Sequence, residues 1–143
     1  MPVKGKQYLS GKEISVLKKL NGKAIVLMTT IITLIPLCFV SYNYNQYNWN
    51  GKLIHVPAAI AGILAMIFVL STSVTVGKII LTTVIGFLIT IFLKALIDTF
   101  IDFSDHSLFG LEIIFGGFYA FIAAAAGASL GFLFKRIPQF IKR

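Results

Sequence analysis

The chain has 143 residues, 57% hydrophobic and only 13% charged, with a mean hydropathy of +0.90. Soluble domains run near about 45–50% apolar and about 25% charged, so the composition excludes an ordinary water-soluble core and leaves no room for a separate soluble domain. The formal charge is +8, from 13 Lys+Arg against 5 Asp+Glu. Lys4, Lys6, Lys12, Lys18, Lys19 and Lys23 precede the first apolar run, and Lys135, Arg136, Lys142 and Arg143 follow the last. Charge placed outside apolar runs reports topology and attraction to anionic lipid headgroups. No groove-reading motif accompanies it, so nucleic acid is not an expected partner.

Residues 1–23 form a basic cytoplasmic or interfacial segment. Ser10 and Glu13 have capping-box spacing, and Ile14, Leu17 and Leu20 follow on one helical face. This reads as a short amphipathic helix ending near Asn21-Gly22, or as a solvated basic tail that sets orientation. A cleaved signal peptide is not expected, because no small-residue cleavage site follows the apolar run.

A first membrane span is expected over 24–41. It carries no charge, and Pro36 is expected to bend it, with Thr30, Thr33 or neighbouring helices satisfying the freed carbonyls. Cys38 is the only cysteine, so no intramolecular disulfide is possible and it reads as a small hydrophobe. Tyr42, Tyr44, Tyr47 and Trp49 lie in the next, polar stretch and read as an aromatic belt at headgroup level.

Spans two, three and four are expected over 53–72, 78–101 and 111–134, followed by a basic tail at 135–143. Pro57 falls in the first turn of span two, where its missing N–H costs little. Ala58 and Gly62 give span two a small-xxx-small face. Span four repeats that spacing through Gly116, Ala120, Ala124 and Ala128, and again through Ala123, Gly127 and Gly131. Small residues let helix backbones approach closely, so these positions read as a packing seam, within one copy or between subunits. The expected fold is therefore an all-α integral membrane protein. Four transmembrane helices form a compact bundle, preceded by a short amphipathic N-terminal helix. The basic ends place both termini in the cytoplasm of a multi-pass cell-membrane protein.

Chemistry, if any, belongs to residues 90–112, which hold four of the five acids and Lys94, the only lysine inside an apolar run. Thr90, Lys94, Asp98 and Asp102 recur every four residues, forming a slowly rotating polar stripe on a helix. Lys94 lies about 24 Å along the helix from Lys78, near the outer edge of a core about 30 Å thick. Its ammonium is expected to reach outward to Asp98 with its methylenes in lipid, and Glu112 could pair with it across the hairpin. A polar path or cation site entered from outside is the functional alternative to that anchoring role.

His55, Asp98, Asp102, Asp105, His106 and Glu112 are also expected on the outer side. None shows a recognised metal-ligand spacing, so they read as solvated loop residues and no metal or cofactor is assigned. No phosphate loop, nucleophile elbow or redox motif occurs, and no catalytic residue is assigned. The expected role is a small oligomeric or accessory subunit of a membrane complex, in transport, secretion or envelope biogenesis. A homo-oligomeric channel or permeabilising effector is the alternative. An enzyme acting on lipid headgroups through the outer carboxylates is a third.

Overall fold

The structure, a computed structural model, describes residues 21–38, 52–102 and 109–141, with side chains except at 52–54, 98, 101, 102, 109–112 and 138–141. Among these residues it is all helical: α1 (Gly22–Cys38), α2 (Lys52–Ser71), α3 (Val76–Asp102) and α4 (Phe109–Ile141), with no strand. The expected N-terminal amphipathic helix and the belt residues Tyr42, Tyr44, Tyr47 and Trp49 lie outside the described residues.

Local signals explain where the elements begin and end. The Asn21 side-chain oxygen accepts the Ala24 N–H at 3.0 Å, capping the first turn of α1. Asn21 and Gly22 thus open α1; the segment expected to end there lies outside the described residues. Thr72 closes α2 by donating its hydroxyl to the Phe68 carbonyl and accepting the Val74 N–H, so only residues 72–75 join α2 to α3.

Two helices, α3 over Val76–Ile97 and α4 over Ile113–Ile137, are long and apolar enough to cross a bilayer. The described part of α1 has 17 residues, and the apolar stretch of α2 is also short. Helix α4 differs most from its expected bounds. It continues past 134 through Lys135, Arg136 and Pro138 to Ile141. Lysine and arginine end an apolar run, but they are good helix formers and do not end a helix.

The helices pair by alternation in the chain. The most extensive interfaces join α2 to α4 and α1 to α3, whereas α1 and α4 barely touch. Each pair runs parallel: Gly22 meets Thr82 and Gly86 meets Val26 across α1 and α3, while Gly62 meets Gly127 and Gly131 meets Met66 across α2 and α4. One end of the bundle therefore gathers the start of α1, the α2–α3 turn and the last turns of α4, with Lys23, Lys78, Lys135 and Arg136; it is called the basic end below. The apolar core has two clusters. Ile25, Leu64, Ala65, Phe68, Ile79, Ala124 and Ala128 belong to one, and Ala58, Ala61, Phe87, Ile91 and Ala120 to the other.

Candidate functional site: two helix seams

The α2–α4 seam is made of glycine and alanine. A Cβ built on Gly127 would fall on the carbonyl of Gly62. One on Gly62 would come 2.8 Å from the Ala123 carbonyl, and one on Gly131 2.8 Å from that of Met66. Real Cβ atoms do not approach backbone so closely, so glycine at these positions is what lets the helices meet. Ala58, Ala120 and Ala124 are buried beside it. Gly116 faces α3, where a Cβ would strike the tip of Ile91. The nine small residues singled out in the sequence are thus spent within one copy, all of them buried except the half-buried Ala123. Their faces are not left open to another subunit.

The α1–α3 seam is polar. On α3, Lys78, Thr82, Gly86, Thr90 and Lys94 follow at four-residue spacing, and the buried face of α1 presents Thr29, Thr30 and Thr33. The Thr33 and Thr90 hydroxyl oxygens are 2.7 Å apart. Thr30 donates towards the Gly86 carbonyl at 3.0 Å, and Thr90 towards the Thr30 carbonyl at 3.2 Å. Each hydroxyl also reaches the carbonyl one turn back on its own helix. Each hydroxyl has one proton, so several acceptors share it and the network has more than one arrangement. Gly86 sets the spacing, since a Cβ there would lie 2.8 Å from the Val26 carbonyl and 2.9 Å from Thr29 Cβ.

Two expectations change here. Thr30 or Thr33, or else a neighbouring helix, was expected to satisfy the carbonyls freed by Pro36. The carbonyl that Pro36 frees belongs to Ile32, four residues earlier, yet the threonines bond Val26, Thr29 and Gly86 instead. Lys94 was expected to lay its methylenes along lipid. It is only 8% exposed, inside the bundle in line with Thr90. The periodic face of α3 turns inward through both residues, which the depth estimate could not reveal.

The remaining site residues divide by position. Asp98 and Asp102 continue the same register on α3 and Glu112 opens α4, but their side chains lie outside the described residues, as do Asp105 and His106 entirely. His55 is exposed, with its ring edge-on to Tyr119 at 4.8 Å. No group of three His, Cys, Asp or Glu gathers among the described residues.

At the basic end, Lys135 donates from Nζ to the carbonyls of Val69 at 3.1 Å and Thr72 at 3.0 Å. It caps the C-terminus of α2, where helix carbonyls lack partners and a cation is favoured. Arg136 lies over the Phe132 ring at 4.4 Å. The sequence reading took Lys135 only as a topology signal and did not single out Gly86. A recoverable sign was the four-residue period of α3, which extends down from Thr90 to Lys78. No family model, curated protein or solved structure matches the chain.

Proposed function

We propose that the chain is a four-span integral membrane protein with both termini cytoplasmic, acting as a non-catalytic subunit of a membrane complex. The inverted polarity of the bundle carries this reading. Each helix turns large apolar residues outward, among them Leu27, Ile31 and Ile35 on α1, Ile63 and Ile67 on α2, Leu81, Ile85 and Ile89 on α3, and Phe118, Phe121 and Ile122 on α4. Buried positions meanwhile include seven threonines and Lys94. In water that exterior would be one continuous sticky patch, whereas in lipid it is the ordinary solvent-facing surface. Charge at the basic end then matches anionic headgroups on the cytoplasmic side.

The threonine seam offers donors and acceptors but no described base or metal site, so it supports assembly rather than turnover. With the glycine seam spent internally, contacts to other subunits fall on the large outward side chains. Alkaline extraction of membranes, with reporters fused at each end and within 42–50 and 103–108, tests the placement. Extraction with soluble proteins, or termini outside, would remove it. Purification in mild detergent tests the role, and a stoichiometric second protein is expected. Recovery only as a pure self-assembly would instead support the homo-oligomeric channel, the second reading, which the Lys78-to-Lys94 polar line favours. That reading requires conductance in a pure-protein bilayer that changes in Lys94→Ala.

A further inference from the structure

Threonine in a helix has a ready hydrogen-bond partner in the carbonyl four residues back. Thr30, Thr33, Thr72, Thr82, Thr90 and Thr99 all take it, with oxygens 2.7 to 3.0 Å apart. Thr29 and Thr83 do not. Both residues are 0% exposed, and neither hydroxyl reaches any protein partner. The Thr29 side chain packs directly against Gly86, and Thr83 lies one turn before Gly86 on α3. Both residues therefore lie within a turn of the place where Gly86 lets the two backbones approach, Thr29 meeting it with its Cβ and methyl group. Nothing comparable occurs in the other seam, whose buried Ala61, Ala65, Ala124 and Ala128 carry no polar side-chain atom.

A hydroxyl hidden from solvent and turned away from its own helix is stable only with some other partner, because an unmade buried hydrogen bond costs more than a made one contributes. The aliphatic neighbours Ile25 and Ile79 cannot supply one. We propose that water is bound inside the α1–α3 seam, hydrogen-bonded to the hydroxyls of Thr29 and Thr83, so that one seam is hydrated and the other dry. Water is the ligand because it donates and accepts at once, as buried waters in folded proteins do. A cation is disfavoured because no group of three His, Cys, Asp or Glu gathers among the described residues. A halide would need more donors than these two hydroxyl protons.

The two seams then differ in composition: the α1–α3 contact combines a close backbone approach at Gly86 with buried hydroxyls, while the α2–α4 contact is made by small apolar residues.

Water-edited solid-state NMR of the full chain in phosphatidylcholine bilayers tests this. Magnetisation from water should reach Thr29 and Thr83 several-fold faster than Ala61 and Ala124, which are equally buried. Equal build-up at all four positions overturns the proposal. So does fast build-up that vanishes when chloride is replaced by gluconate, which would assign the site to a halide. Thr29→Val and Thr83→Val keep the shape and remove the hydroxyl. Each should lower the thermal midpoint and slow the transfer at the other threonine. Midpoints that rise or stay level would mean there was no bound water to lose, and would also overturn it.

Discussion

Replacing Gly127 by alanine adds one methyl group at the point where α2 and α4 are closest. The added Cβ would fall on the Gly62 carbonyl, a backbone atom that no rotamer change can move aside. Relief requires the helices to part, which also loosens the contact of Gly131 with Met66 one turn further on. Overpacking costs about 1–3 kcal/mol, and a backbone-on-backbone clash belongs at the upper end. Alanine returns about 1 kcal/mol of helix propensity over glycine, leaving a net loss near ~2 kcal/mol. Gly77 is the control, since it sits in the first turn of α3 and a Cβ there meets nothing within 4 Å. Gly77→Ala should therefore gain up to about 1 kcal/mol, for a difference of ~3 kcal/mol between the two variants. Equilibrium unfolding in mixed detergent micelles, followed by circular dichroism, measures both. Gly127→Ala as stable as Gly77→Ala would refute the tight parallel seam, because propensity is common to both and only the clash separates them.

The polar seam should show coupling rather than a large single loss. In a double-mutant cycle of Thr33→Val and Thr90→Val, a coupling of about 0.6 kcal/mol is expected, the usual size for interhelical hydrogen bonds in bilayers; strict additivity would mean the hydroxyls do not share a bond. Lys135→Gln should cost roughly 0.5–1 kcal/mol and speed amide hydrogen exchange at residues 72–75, and unchanged exchange there would sink the capping role. Ile31→Arg, on the outward face of α1, separates lipid from water as the surroundings. Insertion of the span should drop by an amount corresponding to about 2.5–3.5 kcal/mol, whereas a water-facing residue would tolerate arginine with no measurable effect.

Much of the architecture was legible because one-dimensional signals dominate it. Apolar runs mark the helices closely except at the end of α4, which continues from the expected 134 to Ile141, and small-residue spacing marked the faces of α2 and α4. The misreadings share a cause. Pro36 made Thr30 and Thr33 look like local repairs, since the partners they meet on α3, Gly86 and Thr90, lie 56 and 57 residues away. Lys94 looked like an outward anchor because depth along an axis is readable from sequence and direction around it is not. Lys135 looked like the end of a helix because hydropathy falls there, although its side chain has acceptors on another helix.

Composition, helix positions and the partition of charge are written in the sequence, because each depends on residues near one another along the chain. Which helices pair was decided only in three dimensions. Several faces carry small or hydroxyl residues at four-residue spacing, and any two could in principle approach. Glycine meeting glycine drew α2 to α4, and threonine meeting threonine across Gly86 drew α1 to α3. Complementarity between two surfaces is a property of the pair, and neither surface alone records it.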